Sequence, residues 1–492
     1  MSIEVFISLG IYFAAMLLIG WYSYRKTSNL NDYMLGGRDL GPAVTALSAG
    51  ASDMSSWMLM GLPGAMYVTG LSSGWLAVGL TIGAYVNYVL VAPRLRTFTE
   101  VANDAITIPD FFENRFNDTT RVLRLASALV IMVFFTLYTS AGMVSGGRMF
   151  ETAFGLDYRI GLFSTALVVI AYTLFGGFLA VSLTDFVQGL IMFIALVLVP
   201  IVAFTQLGGV TPTFNMIEEV NPSLLDFFKG TTVISIISFI AWGLGYFGQP
   251  HIIVRFMAIS SVKELKPARR IGMGWMIVSV AGALLTGLIG VAYVHQTGIS
   301  LKDPETIFIV FSNILFHPLI TGFLLSALLA AIMSTVSSQL LVTSSAMTED
   351  LYRTFFRRGA TDKELVLVGR LSVLLVAVIA LLLSLSPNDT ILNLVGYAWA
   401  GFGSAFGPAI LLSLYWKRMN QWGALAGIVT GAVTVLLWIM TGLDQTTGIY
   451  EMIPGFFLSL AAVAAVSLMT HKPAEKAAEM FEEMEEKHRS AS

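Results

Sequence analysis

An aspartate lies in the middle of an apolar stretch near the start of the chain. Asp53 is surrounded by small residues and four serines within residues 48–57. A charge at membrane depth costs roughly 2.5–3.5 kcal/mol on insertion scales, so it is kept for a reason. A helix broken at that depth must line a cavity, and its freed carbonyls suit a hard cation. Two interpretations of Asp53 stay open: a residue that binds or supports a cation, and a hydrogen-bonded core residue.

A second interruption is predicted within residues 242–250, which read WGLGYFGQP. The glycines match G-x-G-x-x-G, but a dinucleotide site needs a preceding strand, and here they lie in a hydrophobic run. We predict a glycine-rich unwinding instead. Trp242 and Tyr246 are four residues apart, which places them on one face of an α-helix. Two aromatic rings beside open backbone suit an apolar amino-acid side chain, and simple aromatic packing is the alternative.

Two hydroxyl residues form a third candidate, because Ser334 and Thr335 follow Ala331 by one helical turn. The Ala331 carbonyl and both hydroxyls can supply three oxygens to one ion. Serine and threonine in membrane helices also bond back to their own helix or join neighbouring helices. This structural role of Ser334 and Thr335 is the alternative to cation binding.

Three further residues give weaker signals. Tyr138 is a polar aromatic residue within an apolar stretch. Asp185 follows Ser182 and Thr184 at a predicted helix start, where a carboxylate either has a functional role or simply caps the helix. Arg38 lies in a glycine-rich loop, and its charge is either functional or part of the general bias of cytoplasmic loops.

Composition decides which class of protein carries these residues. Of 492 residues, 56% are hydrophobic and only 12% are charged, about half the share of a soluble protein. A net charge of -3 offers no basic face for nucleic acid. The chain has no cysteine, and its five histidines lack metal-ligand spacing. The sequence shows no paired acid and base of the kind that would indicate an enzyme. We predict an all-α integral membrane protein.

Apolar stretches of about 20 residues predict thirteen transmembrane helices. They lie near 4–24, 42–69, 72–92, 123–147, 160–179, 185–207, 230–249, 271–295, 318–349, 365–386, 391–415, 422–441 and 450–470. The segment 305–316 is too short to span and is predicted to be an interfacial helix. The first span is too long, and has the wrong flanks, for a cleaved signal peptide.

Positive charges predict the orientation. Only Arg148, Arg159, Lys229 and Lys302 lie on one side, against the other 24 basic residues of 28. The positive-inside rule therefore places the N-terminus outside and the C-terminus in the cytoplasm. We expect one transporter domain at 1–471 and a cytoplasmic tail at 472–492. In that tail Met480, Phe481 and Met484 share a helical face, which is either solvated or a regulatory contact.

The interrupted spans 2 and 7 are five spans apart and therefore run in opposite directions. This predicts an inverted repeat, spans 2–6 against spans 7–11, with a site at the midplane. A cation and a solute bound together in such a site indicate alternating access driven by an ion gradient.

Longer motifs make the chain resemble the bacterial sodium/proline symporters of the sodium:solute symporter family. The matching stretches are Asp32-Tyr33, 35–38, 45–55, 61–65, 175–182, 242–251, 333–335 and 397–403. The likeness runs from about residue 4 to 470. It implies a LeuT-like core and a protein of the bacterial cytoplasmic membrane that imports L-proline with sodium, without nucleic acid or an obligate protein partner.

The resemblance also implies the roles of individual residues. The sodium ligands implied are the backbone oxygens of Ala51, Met54 and Ala331 and the hydroxyls of Ser334 and Thr335. The proline pocket implied consists of Ser55, Trp57, Tyr138, Trp242, Tyr246 and Pro250. Asp53, Arg38 and Asp185 are expected to take part in coupling, with Asp53 needed without being an obvious sodium ligand.

One departure and several alternatives accompany the resemblance. The proline branch commonly has glycine where this chain has Ser56, directly beside the pocket. A nutritional role and an osmoprotective role are equally compatible with the motifs. The same machinery can carry another amino acid, pantothenate or a sugar. A transporter-like sensor would need a signalling domain, and a channel would need a continuous polar pore.

Overall fold

The protein is almost entirely helical in a computed structural model that describes residues 2–26, 35–175, 177–387 and 389–491. The motif residues Asp32, Tyr33 and Gly176 lie outside the described part. Within it, extended pairing is limited to one parallel bridge between Leu40 and Ile259. The prediction of an all-α protein is confirmed for these residues.

Twenty-one α-helices, numbered α1 to α21 in chain order, build the described part of the chain. They are Ile3–Lys26, Pro42–Asp53, Leu62–Thr69, Gly74–Val86, Ala92–Val101, Ile108–Phe116, Val122–Phe154, Tyr158–Phe175, Phe178–Gln206, Val210–Val220, Val233–Ala241, Pro250–Ala258, Leu265–Thr297, Ile307–Ile314, Pro318–Ser345, Asp362–Leu383, Ile391–Tyr415, Gln421–Met440, Leu443–Thr447, Met452–Met469 and Glu475–Ala491. Shorter 3-10 and π segments connect several of them, including Trp57–Gly61, Gly70–Ser73, Trp242–Gly248 and Ala346–Phe356.

The number of membrane crossings is at least ten. Ten helices of the described residues are long and apolar enough to span, and a pair bent by 44°, Val233–Gly248 with Pro250–Ala258, raises this to eleven. Each of the thirteen predicted spans contains a helix. Two predicted spans fall partly within one 45-residue helical run, Trp57–Val101, and Tyr158–Ala171 is a shorter apolar helix.

The outer surface is apolar, as expected for helices in contact with lipid. Leu18, Leu167, Leu371 and Met440 are each more than half exposed, whereas α15 and α17 are buried along most of their length. Because lipid solvates the apolar outer face, polar contacts concentrate in the interior. That interior is where the two interrupted segments lie.

Glycines allow the interrupted segment 242–248 to approach its neighbours closely. A Cβ atom on Gly83 would overlap the backbone of Gly243, and one on Gly245 would overlap the indole of Trp399. Small residues permit this backbone contact between membrane helices. The unwound segment is therefore clamped between α4 and α17.

The short helix predicted at 305–316 is present as α14. Just before it, Glu305 accepts hydrogen bonds from the backbone N–H groups of Ile391 at 2.8 Å and Leu392 at 3.1 Å, and pairs with Arg148 at 2.6 Å. Burial raises the pKa of the Glu305 carboxyl, while these donors and Arg148 oppose the rise. A carboxylate at a helix N-terminus is favourable, so Glu305 holds the loop onto the start of α17.

The tail forms helix α21 and packs against the protein. Met484 is fully buried and Met480 and Phe481 nearly so, and Glu485 pairs with Arg94 at 3.1 Å. The three apolar residues do share one face, and the alternative of a solvated face is wrong. Apolar side chains on an amphipathic helix are stabilised when they leave water, and α5 and α6 provide the surface.

Candidate functional site

Span 2 breaks directly after Asp53. Helix α2 ends there, and Met54 has φ -76° and ψ 76°, outside the helical region. The N–H of Ser55 donates to the Asp53 carbonyl at 2.9 Å and so does not reach Ala51, its partner in a continuous helix. The predicted interruption is confirmed, and it leaves the Ala51 carbonyl free of its helical hydrogen bond.

The freed carbonyl meets the two predicted hydroxyls of α15. Ser334 Oγ lies 2.8 Å from the Ala51 oxygen and 3.3 Å from the Ala331 oxygen, and Thr335 Oγ1 lies 3.4 Å from the Ala51 oxygen. All four residues are buried. Hydroxyl oxygens have lone pairs that turn toward a cation when their protons turn away. These oxygens form a cluster of the type that hard cations prefer.

Met54 and Asp53 lie beside this oxygen cluster. Both line a cavity of about 30 Å³, large enough for a water molecule. The Asp53 side chain turns toward the second interruption, where Tyr246 donates to Asp53 Oδ2 at 2.5 Å. Asp53 Oδ1 is buried without a hydrogen-bond partner among the described residues. Its carboxylate therefore joins the two broken spans.

The indole of Trp57 also contacts the backbone at the first break. Its Nε1 donates to the Asp53 carbonyl at 3.0 Å, and its backbone N–H lies 3.4 Å from Ser55 Oγ. Trp57 is 2% exposed. Both residues of the predicted proline pocket thus satisfy backbone groups that the break sets free.

The second break is also confirmed. A 3-10 segment runs from Trp242 to Gly248, Gln249 is extended, and α12 then continues to Ala258. Pro250 therefore starts a new helix directly after the predicted end of the span at residue 249, since its missing N–H costs nothing at a helix start. Gln249 donates to the carbonyls of Gly245 at 3.2 Å and Trp399 at 3.0 Å.

Trp242 and Tyr246 do not share a face, contrary to the prediction. The segment has three residues per turn, so a spacing of four leaves them about 120° apart. Trp242 stacks on Tyr450 with ring centroids 5.1 Å apart, while Tyr246 meets Trp399 edge-on at 5.1 Å. Trp399 also donates to the Trp242 carbonyl at 2.8 Å.

The remaining predicted pocket residues lie around the same interior region. Tyr138 is 1% exposed, and its ring meets His251 edge-on at 5.8 Å. Its buried hydroxyl interacts with the side chain of Ser55. Pro250 and Trp242 line two cavities separate from that of Tyr246. None of these three cavities contains all six predicted side chains.

Ser56, where the branch commonly has glycine, contacts α7. Its hydroxyl lies 2.6 Å from Ser145 Oγ, and that atom lies 2.8 Å from the Ala141 carbonyl. Ser145 has a single hydroxyl proton. If that proton goes to the carbonyl, Ser56 donates to Ser145, and the extra hydroxyl is satisfied within the protein.

Asp185 lies in a buried ion pair rather than at a helix cap. Helix α9 begins at Phe178, so Asp185 is two turns inside it and the capping alternative is wrong. Its Oδ2 lies 3.1 Å from Arg255 Nη2 and 2.8 Å from Ser48 Oγ. Asp185 and Arg255 are both fully buried. Buried charges are tolerated when paired and hydrogen-bonded.

Sequence reasoning missed Arg255, which lies beyond the predicted end of span 7 at residue 249. Its guanidinium donates to Ser48 at 3.0 Å, Ser338 at 2.7 Å and the His251 carbonyl at 2.6 Å. It thereby links α2, α9, α12 and α15. The available signal was the apolar run 250–258, in which Arg255 is the only charged residue.

Arg38 connects loops away from the oxygen cluster. It has a left-handed φ of 58° and donates to the Ala105 carbonyl at 2.8 Å and to Thr99 Oγ1 at 3.1 Å. These contacts hold the loop before α2 to the end of α5. Any role of Arg38 in coupling would act through these hydrogen bonds.

Comparison with known proteins identifies the family. Residues 33–431 match the sodium:solute symporter family. The chain is similar to the osmoregulated proline transporter OpuE of Bacillus subtilis, with 73% identity over 99% of each chain. It is also similar to sodium/proline symporter 2 of Staphylococcus saprophyticus, with 58% identity over 96% of this chain and 94% of the relative.

A solved structure agrees with the arrangement of helices. The chain resembles the substrate-bound outward-open state of a Na+-coupled sialic acid symporter, with a TM-score of 0.80 and 19% identity. The match covers 96% of this chain and 99% of that one, and at this identity it shows the fold. The fold, the family match and the identities lead to one conclusion: this chain, a multi-pass membrane protein, belongs to the sodium:solute symporter family.

Proposed function

We propose that this chain imports L-proline together with sodium across the bacterial cytoplasmic membrane by alternating access. Relatives named as an osmoregulated proline transporter and a sodium/proline symporter support this function. The structural observation that carries it is the Ala51 carbonyl, freed by the break and met by Ser334 and Thr335. Another solute, such as pantothenate or a sugar, is not favoured by those relatives.

Sodium is held by the oxygen cluster. The proposed ligands are the backbone oxygens of Ala51, Met54 and Ala331 and the two hydroxyls of α15. Asp53 lies next to this set and bonds to Tyr246 instead of joining it. Its negative charge favours a cation nearby without direct ligation.

L-Proline binds at the break on the opposite side of Asp53. Its carboxylate is met by backbone N–H groups of the broken span, where the helix dipole is positive. The buried hydroxyl of Tyr138, which interacts with Ser55, offers a further donor. Trp57 and Tyr246 enclose the ring, together with Ser55. Trp242 and Pro250 join the pocket only after the rearrangement that alternating access requires.

The architecture behind this function has thirteen spans, with spans 2–6 and 7–11 forming an inverted repeat. The contact between Asp53 and Tyr246 supports it, since it joins breaks that are five spans apart. The bias of basic residues supports an outer N-terminus and a cytoplasmic C-terminus. Residues 1–471 form the transporter and 472–492 the tail. Asp53, Arg38 and Asp185 are proposed to take part in coupling.

Uptake by the purified protein in proteoliposomes tests the proposal. An inward sodium gradient should accumulate radiolabelled L-proline, and replacing sodium with potassium should abolish accumulation. Glucose and pantothenate serve as competitors and should leave the uptake unchanged. Proline uptake that ignores the sodium gradient, or inhibition by glucose or pantothenate, would contradict the proposal.

A further inference from the structure

Four basic side chains lie together at the start of α13, outside the site described above. They are Lys263, Lys266, Arg269 and Arg270, and Glu264 is the only acidic residue between the first and the last of them. Under the proposed topology this segment lies at the cytoplasmic surface of the membrane, shortly after the second broken span. We call these four basic residues the α13 basic cluster.

The charges of this cluster are not neutralised within the described part of the chain. None of the four side chains forms an ion pair or a hydrogen bond with another described residue. By contrast, Arg94, Arg124 and Arg357 on the same side of the membrane each pair with a carboxylate. A group of unpaired cations attracts anions, so the α13 basic cluster is complementary to a negatively charged ligand.

The cluster continues along α13 into an exposed apolar stripe. Lys266 and Arg270 are exposed, and Gly274 extends the same face by one turn. Ile277 and Val278 follow on that face and are 52% and 41% exposed. The space around a Cβ atom on Gly274 would be open, which leaves room for a hydrocarbon chain against the helix. A ligand that fits both parts therefore carries an anionic group and an apolar chain.

An aromatic ring from α4 lies beside the cluster. The guanidinium carbon of Arg269 is 5.3 Å from the centre of the Tyr85 ring, and Tyr85 is 49% exposed. A contact of this kind holds the guanidinium over the ring while its N–H groups stay available to a ligand. Basic pockets between membrane helices on the cytoplasmic side are typical binding sites for phospholipid headgroups.

We propose that the α13 basic cluster, together with Tyr85, binds the phosphate group of an anionic phospholipid in the cytoplasmic leaflet. An acyl chain of this lipid lies along the stripe from Gly274 to Val278. A free phosphate ion would use the charges and leave the apolar stripe in contact with other lipids. A zwitterionic phospholipid would bring its own cation toward four positive charges, which is unfavourable.

A lipid at this position holds the junction between the second broken span and α13. The backbone at the end of α12 is already fixed, because Arg96 donates to the Ile259 carbonyl at 2.7 Å and the Ser260 N–H donates to the Leu40 carbonyl at 3.0 Å. The headgroup adds an anchor at the first turns of α13. A ligand that binds only the folded protein stabilises it, so the lipid should raise the melting temperature.

Native mass spectrometry of the full chain in a neutral detergent tests the site. Phosphatidylglycerol is the probe, and phosphatidylcholine with the same acyl chains is the zwitterionic comparison. Each Lys or Arg near an anionic headgroup contributes about five-fold in affinity. We therefore expect Lys266→Gln/Arg270→Gln to weaken the tightest phosphatidylglycerol binding by about thirty-fold and to leave phosphatidylcholine binding unchanged. Lys476→Gln/Lys487→Gln is the matched control, because it removes two exposed cations from the tail on the same side.

The melting temperature in detergent gives a second readout. Phosphatidylglycerol should raise it for the wild type, for the tail control and for Lys266→Arg/Arg270→Lys, which keeps both charges, and should not raise it for Lys266→Gln/Arg270→Gln. Equal phosphatidylglycerol affinity of the wild type and the glutamine variant would overturn the site. Displacement of the lipid by glycerol 1-phosphate, which has the anionic group without acyl chains, would assign the cluster to a soluble anion and also overturn it.

Discussion

The buried ion pair of Asp185 and Arg255 should be one of the strongest single interactions in the molecule. The carboxylate and guanidinium are 3.1 Å apart and fully buried. At an effective dielectric constant of about 20, Coulomb's law gives about 5 kcal/mol for this separation. Measured losses of about 3–5 kcal/mol for removing one partner of a buried pair agree with that size.

The perturbation is therefore a double-mutant cycle. Arg255→Met leaves the Asp185 carboxylate with only the hydroxyls of Ser48 and Ser338, and Asp185→Leu leaves an unpaired guanidinium. Each single change should lower the free energy of unfolding by about 3–5 kcal/mol. The double variant should be more stable than either single variant, because no uncompensated charge stays buried.

Unfolding in mixed detergent micelles measures the four proteins of the cycle. Arg94→Met with Glu485→Leu provides a control, since that pair is partly exposed and should show a coupling energy of about 1 kcal/mol or less. If the losses of Asp185→Leu and Arg255→Met simply add in the double variant, the two charges do not stabilise each other and the reasoning is refuted.

Four further outcomes follow from the site. Ser334→Ala/Thr335→Ala should raise the sodium concentration for half-maximal uptake by about ten-fold or more, as for a lost charge-assisted contact; Ser326→Ala, on the same helix, is the control, and an unchanged sodium dependence would remove both hydroxyls from the site. Asp53→Asn should fold and insert but lose sodium-driven uptake, and normal coupled uptake would reduce Asp53 to a packing residue. Gly83→Ala should lower the thermal stability in detergent because its Cβ overlaps the neighbouring backbone, and an unchanged melting temperature would show that the two segments separate easily. Sodium should tighten proline binding by the same factor by which proline tightens sodium binding, with alanine and glycine as poor competitors; proline affinity that ignores replacement of sodium by potassium would contradict this linkage.

Both interruptions could be predicted because their signals are local. Asp53 with its serines and the glycine-rich run at 242–248 are exceptions within apolar sequence, and such exceptions mark broken helices. The oxygen cluster could be predicted in part, because Ser334 and Thr335 lie one helical turn after Ala331. The residue pattern alone did not contain the partner of that turn, the Ala51 carbonyl, which only the resemblance to the family implied, because the backbone of Met54 and Ser55 frees it.

The predictions that were wrong concern features that depend on tertiary contacts. In the sequence Arg255 resembles a loop residue. In the structure it lies inside the protein, where Asp185 of a distant helix neutralises its charge. Trp242 and Tyr246 share a face in an α-helix and separate in a 3-10 helix, and the choice between those helices depends on packing against α4 and α17. The apolar face of the tail at Phe481 is buried because it packs against α5 and α6, and no local sequence pattern reveals that contact.

If sodium binds at the oxygen cluster as proposed, the geometry of the first break explains how one ion controls access to the proposed solute site. In the structure, Ser334 directs its proton toward the Ala51 carbonyl. Sodium at that point requires the hydroxyl to turn its lone pairs inward, which replaces a hydrogen bond between α2 and α15 with shared ligation of an ion. The backbone of Met54 and Ser55 must adjust to hold that ion, and the same backbone carries the N–H groups proposed for the proline carboxylate. Because the cation and the carboxylate act on one short segment, each stabilises the conformation that the other needs, and this differential affinity is what drives the population shift in a coupled transporter.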